Sequence, residues 1–199
     1  MPQPLRKFSN ILARETSLSG AAGDQNVLYY GLQFLVYNLF TFTTVTLIAW
    51  IMGILPSVLA VYLASITLRI FTGGRHATGP VICFAASVAS IIFTGFIAAH
   101  LGPLLQTSHL VITAFIITVF TLWCVLKYSP VLISSKNFGP NRIKGQKKAA
   151  VLVTLFWFGI TVLHLSATFP LPPGPALAIP AGMLLQDISL LPLSTKKTR

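Results

Sequence analysis

Long apolar runs, broken by short polar islands, set the organisation of this chain. A helix that crosses a bilayer needs roughly 20 predominantly apolar residues, because each adds about 1.5 Å against a hydrocarbon core about 30 Å thick. Six runs approach that length: residues 27–52, 54–70, 80–99, 110–126, 149–168 and 175–193. The first two are joined by a tight turn near Gly53 and Pro56, and the second is short. The sixth is the least apolar. Pro180, Gln186, Asp187 and Pro192 interrupt it, so continuous, re-entrant and broken helices all remain open there. Upstream, Phe8, Ile11 and Leu12 recur at helical spacing beside Arg6, Lys7 and Arg14. A short helix in the inner interface fits that pattern, as does a frayed basic tail. Ser134, Ser135, Asn137, Gly139, Pro140 and Asn141 predict an irregular connection over 129–148. With no fixed-period repeat, residues 1–199 read as a single membrane domain. Its parts are a cytoplasmic or interfacial segment over 1–26, a six-span core over 27–193 and a basic cytoplasmic tail over 194–199.

The basic residues orient this pattern. Cytoplasmic loops are enriched in Lys and Arg. Six spans that start inside put the N-terminal segment, the 70–79 and 127–148 loops and the C-terminal tail in the cytoplasm. Those segments and the adjoining helix ends hold all 14 Lys and Arg, whereas the outer turns near 53–56, 100–109 and 169–174 hold none. Omitting the sixth span would carry Lys196, Lys197 and Arg199 outside, so the charges favour keeping it. The expected fold is therefore all-α: a polytopic integral membrane protein of about six transmembrane helices with cytoplasmic N- and C-termini.

Composition agrees. Only 9% of residues are charged, whereas a water-solvated domain carries about 25%. The net charge of +11 lies in islands at helix ends, which suits the anionic lipids of the inner leaflet. A nucleic-acid binder would collect such charge on a polar folded face, so no nucleic-acid partner is expected. Two cysteines, Cys83 and Cys124, do not suggest a disulfide framework. The first apolar run starts too late and runs too long for the core of a cleavable signal.

Candidate chemistry concentrates between residues 68 and 83. This stretch holds the only histidine expected on the cytoplasmic side, His76, and one of the two cysteines. Gly73-Gly74 ends the second span, and Gly79-Pro80 opens the third, where proline is favoured because its missing N–H would be unpaired anyway. Cys83 then falls in the first helical turn. Unpaired N–H groups and a partial positive charge at that end favour a thiolate. A neighbouring imidazole would take the thiol proton. Seven residues on a straight helix would hold His76 and Cys83 about 10 Å apart, too far for a hydrogen bond of roughly 3 Å. A Cys–His pair therefore needs the break that Gly79-Pro80 supplies. The plainer reading is a cysteine acting as a small hydrophobe and a solvated loop histidine.

Gly73-Gly74-Arg75-His76-Ala77 followed by Cys83, with Leu68-Arg69 before it, resembles the signature of the accessory gene regulator B (AgrB) family. Tyr30-Gly31-Leu32, Tyr128-Ser129-Pro130, the basic run from Arg142 to Lys148 and Gly182-Met183-Leu184 are similar to further family features, in order along nearly the whole chain. The resemblance implies a bacterial membrane-embedded cysteine endopeptidase that processes a small quorum-sensing propeptide. It implies that the enzyme's cysteine attacks a peptide bond and releases the acidic C-terminal tail. A cysteine or serine of the peptide then closes a thiolactone or lactone on the acyl-enzyme. By match to the motif, Cys83 is the nucleophile and His76 the general base, with Arg69, Gly73, Gly74 and Arg75 as supporting or substrate-binding positions. Arg69 would anchor at the interface or attract the acidic tail. The implied partners are an amphipathic propeptide and inner-leaflet lipids, with room for a homo-oligomer, and no cofactor.

Other residues carry less. No third catalytic residue is evident, since nothing in the sequence brings Glu15 or Asp187 to His76. Cys124 ends the fourth span, where the helix dipole opposes a thiolate, and reads as structural. His100 and His109 read as solvated, and His164 as a hydrogen-bonded residue inside the fifth span. No metal site is expected, because a fourth ligand beside His76, Cys83 and Cys124 is missing. The competing function is a small peptide or solute transporter without covalent chemistry, for which Gln33, Asn38, His164, Gln186 and Asp187 would line the path. Paired broken helices at matching places in two halves, as many transporters have, are not evident.

Overall fold

A computed structural model describes residues 25–74, 80–130, 140–166 and 172–191. Its helices follow the apolar runs: α1 (Gln25–Ile51), α2 (Leu55–Thr72), α3 (Pro80–Leu101), α4 (Thr107–Tyr128), α5 (Pro140–Leu165) and α6 (Pro173–Leu190), with a short 3₁₀ turn at Gly102–Leu104. No strand occurs among the described residues. Four segments are long and apolar enough to cross a bilayer, namely Leu55–Thr72, Val81–Leu104, Thr107–Tyr128 and Ile143–Leu165, and a shorter apolar stretch covers Leu35–Ile51. The chain is a polytopic helical membrane protein. Leu39, Phe40, Trp50, Phe93, Ile116, Leu152 and Phe156 are exposed on the outside of the bundle, as lipid-facing positions should be.

Local chemistry explains the boundaries. Gly53 takes φ 70°, a left-handed conformation that costs glycine little. The Ile54 N–H then donates to the Ala49 carbonyl at 3.0 Å and closes α1. Pro56 sits in the first turn of α2, where no donor is lost. The connection expected to be irregular over 129–148 is corrected in part: α5 already begins at Pro140. Pro at a helix start is pre-organised, and the Lys, Arg and Gln that follow are good helix formers, so a basic helix extends before the apolar span. The interfacial segment around Phe8, Ile11 and Leu12 lies outside the described residues, as does the basic tail.

Contacts sort the helix ends into two groups. At one end, Gly174 approaches Ser57 and Ala99, and Gly102 approaches Pro173. At the other, the Gln186 side chain bonds to Thr72 and Gly73, and the Lys147 ammonium donates to the Leu126 carbonyl at 3.1 Å. The Lys and Arg of the described residues, at positions 69, 127, 142, 144, 147 and 148, belong to this second end. Segregation of this kind is what the positive-inside rule associates with a cytoplasmic face.

The sixth run, the least apolar, forms the centre of the bundle. It is one continuous helix through Pro180, neither broken nor re-entrant, and α6 packs against α2, α3, α4 and α5. Ala176, Ala178, Ile179, Pro180, Gly182, Met183, Gln186 and Asp187 are buried. A helix covered by other helices need not be apolar, because its polar groups find partners in protein instead of facing lipid. Its small residues admit close neighbours: Ala178 joins Val58, Val61 and Ala98 in one core cluster, and Ile179 and Met183 join Ala64 and Leu68 in another.

Candidate functional site

A cleft of about 380 Å³ opens between α1, α2, α3 and α6, with Cys83 in its wall. Each helix contributes polar side chains at helical spacing. They are Tyr37, Asn38 and Thr41 from α1, Tyr62, Ser65 and Arg69 from α2, and Cys83, Ser87 and Ser90 from α3, with Gln186 and Ser189 from α6. Steps of three, four and seven residues put such groups on one helix face. Cys83 and Ser90 are seven residues apart, so the polar stripe descends about 10 Å from the helix start into the bundle.

Cys83 is the fourth residue of α3 and partly exposed, in the first turn where the sequence puts it. The N–H groups of that turn have no carbonyl one turn back to pair with. Tyr37 reaches the same place from α1. Its ring meets Phe84 edge-on at 6.3 Å, and its hydroxyl lies beside the Cys83 thiol and Ser87, with the Arg69 guanidinium within electrostatic range. That hydroxyl oxygen is buried and makes no hydrogen bond of acceptable geometry.

The end of α2 is built for close approach to α6. Gly73 takes φ 70°, and its N–H caps the helix on the Arg69 carbonyl at 2.9 Å. The Gln186 amide nitrogen donates to the Gly73 carbonyl at 2.7 Å and to the Thr72 hydroxyl at 3.0 Å. A side chain at Gly74 would stand 3.0 Å from the Ser189 hydroxyl and 3.6 Å from Arg69 Nε. Arg69 and Cys83 therefore line one cleft, and Gly73 and Gly74 stand against the Gln186 and Ser189 side chains of its wall. His76 and Arg75 lie outside the described residues. Their segment leaves from Gly74 and returns at Pro80, three residues before Cys83.

The remaining candidates lie elsewhere. Asp187 is fully buried, and one carboxylate oxygen accepts from the Thr121 hydroxyl at 2.6 Å, so it faces α4 while the adjacent Gln186 faces the cleft. Glu15 lies outside the described residues. His164 is buried with a ring nitrogen 3.3 Å from the Pro172 carbonyl, and His100 pairs with the Phe96 carbonyl at 2.9 Å, both at the end opposite Cys83. Cys124 is fully buried on α4 near Asp187. Cys124→Ala is expected to insert normally and to lower stability by about 1 kcal/mol, read as a small fall in melting temperature.

Sequence reasoning missed Tyr37 and Ser189, and gave Gln186 a place only on a possible transport path. One signal was present: Ser87 and Ser90 follow Cys83 by four and seven residues inside an otherwise apolar run. Nothing local marks Tyr37, which meets Cys83 only through packing of α1 on α3.

Comparison with known proteins gives a consistent result. Residues 5–190 match the family model described as accessory gene regulator B. The accessory gene regulator protein B of Staphylococcus intermedius is 23% identical over 167 residues, covering 84% of this chain and 82% of that protein. An AgrB-like protein of Listeria innocua is 29% identical over 168 residues, covering 84% and 76%. One from Listeria monocytogenes is 28% identical over 171 residues, covering 85% and 78%. No solved structure matches this chain.

Proposed function

Because this chain belongs to the accessory gene regulator B family, a component of accessory gene regulator quorum sensing, we propose that it is the cysteine endopeptidase that processes the system's propeptide. The observation that carries this reading is Cys83 in the first turn of α3, in the wall of a polar cleft at the basic end of the bundle. A cleft lined with hydroxyl and amide groups can hold a peptide backbone within an otherwise apolar bundle. None of the described histidines, His100, His109 and His164, lines that cleft, and neither does Cys124.

In this reading His76 takes the Cys83 proton, and the thiolate attacks the carbonyl carbon at the end of the future ring. The carbonyl π pair moves to oxygen. When the intermediate collapses, the C–N bond breaks and the released tail amine takes its proton from the imidazolium. The product is a thioester on Cys83. A thiol or hydroxyl of the bound peptide displaces Cys83, closing the ring and returning the thiol. Arg69, in the cleft wall, offers a positive charge to an acidic tail, and the basic end faces the cytoplasm and its anionic lipids.

The test is a covalent adduct. The probe is a synthetic propeptide with an amphipathic helix, a cysteine-containing core and an acidic tail. Incubated with the full chain in liposomes, it is expected to form a hydroxylamine-sensitive adduct that peptide mapping assigns to Cys83. A non-catalytic carrier would move the peptide without forming one. Tail release with no thioester at Cys83 under any trapping condition would defeat the reading.

A further inference from the structure

The Tyr37 hydroxyl stands apart from its neighbours. The hydroxyls of Thr41, Tyr62, Ser65 and Ser90, which share the cleft, each donate to a helix carbonyl at 2.9–3.2 Å. Tyr37 donates to none, although its oxygen is buried. A buried hydroxyl ordinarily finds a partner, and the groups within reach of this one are the Cys83 thiol and Ser87, not a helix carbonyl. This one lies beside the Cys83 thiol.

We infer that Tyr37 supplies a hydrogen bond to the oxyanion that forms when Cys83 attacks a peptide carbonyl. The inference rests on the reading of Cys83 as nucleophile. When sulfur bonds to the carbonyl carbon, negative charge gathers on oxygen within about 3 Å of that sulfur. Preorganised donors in a water-poor site are most effective at that point. The first turn of α3 offers one type of donor, the N–H groups that lack a helical acceptor. The Tyr37 O–H comes from α1 and adds a second. Its proton stays on the phenol throughout. On collapse the oxygen's electron pair re-forms the carbonyl, the C–N bond breaks, and the tail amine takes its proton from the base that accepted the thiol's. Arg69, within electrostatic range of the hydroxyl, adds a positive potential that favours the same charge.

The alternative is that Tyr37 merely holds the thiol. Two reactions at the same sulfur separate these roles. Peptide acylation builds an oxyanion, whereas alkylation by iodoacetamide displaces iodide at a saturated carbon and builds none. Tyr37→Phe keeps the ring and its contact with Phe84 and removes one donor. In the full chain in liposomes, it is expected to slow single-turnover acylation by the same propeptide about 100-fold. Half-saturation and the rate of Cys83 alkylation should stay within about twofold, and the melting temperature within about 2 °C. Acylation within threefold of wild type would overturn the inference. So would a fall in alkylation that matches the fall in acylation, because Tyr37 would then act on the thiol. Cys83→Ala, run in parallel, separates the two layers. If tail release survives Cys83→Ala, the endopeptidase reading fails and the Tyr37 inference falls with it. If Cys83→Ala is inert and Tyr37→Phe is normal, only the Tyr37 inference falls.

Discussion

Replacing Cys83 with serine is expected to slow release of the propeptide tail by roughly three orders of magnitude or more, with membrane insertion and melting temperature unchanged. The substitution nearly preserves size, so the cleft and the contacts of Phe84 should persist. Nucleophilicity is lost: a hydroxyl ionises far above neutral pH, and an imidazole and a helix start cannot bring it down as they bring down a thiol. His76→Ala should be similarly slow at neutral pH. Its rate should climb as pH rises, because hydroxide can generate the thiolate that the missing base no longer supplies. The serine variant should show no such rescue between pH 7 and 9. Initial rates of tail release in liposomes, measured across that range, check both statements. A serine variant within tenfold of wild type would mean that the rate-limiting chemistry does not pass through this sulfur.

Two adjacent residues on α6 explain how one helix can serve both stability and site. Gln186 turns toward α2, where it bonds to Thr72 and Gly73 at the base of the segment that carries His76. Asp187, about 100° further round the helix, turns toward α4 and accepts from Thr121. The polar residues that made this run look like a doubtful span are thus pins to two different neighbours. Their cost in lipid is offset by burial against partners, and both lie near the end of the bundle where Cys83 sits.

The apolar runs were legible because spanning length and the 14 basic residues act locally, residue by residue. The turn at Gly53 and the place of Cys83 in the first turn of α3 were legible for the same reason, since Gly and Pro punctuate the backbone without outside help. What the sequence did not convey depends on packing between distant segments. The central position of α6 follows from the small residues Gly174, Ala178 and Gly182, whose value appears only when a second helix is pressed against them. The start of α5 at Pro140 was obscured by turn-forming neighbours such as Gly139 and Asn141. Tyr37 reads as one aromatic among many in an apolar run, because its tie to Cys83 crosses from α1 to α3.

The contact between α2 and α6 gives the second large effect. A β-carbon built on Gly182 would lie 2.6 Å from the Val61 carbonyl oxygen, 2.9 Å from its Cα and 3.1 Å from the Ala64 methyl. Two of those three atoms are backbone, so no rotamer change relieves the clash, and α2 must move away from α6. Lipid tails are as apolar as the helices, so close packing supplies much of what holds two spanning helices together. A gap at Gly182 also loosens Leu68, Ile179 and Met183, which share a core cluster there. Gly182→Leu is expected to cost about 3 kcal/mol or more, a large fraction of a typical total of roughly 5–15 kcal/mol. Purified in detergent, it should melt far below wild type or fail to elute as a single species. Gly159→Ala is the matched control. Nothing stands within 4 Å of a β-carbon at that position, and alanine is the better helix former by about 1 kcal/mol, so its melting temperature should hold or rise. If Gly182→Leu melts with wild type while retaining tail release, α6 does not pack on α2 as described, and the pinning of Thr72 and Gly73 by Gln186 goes with it.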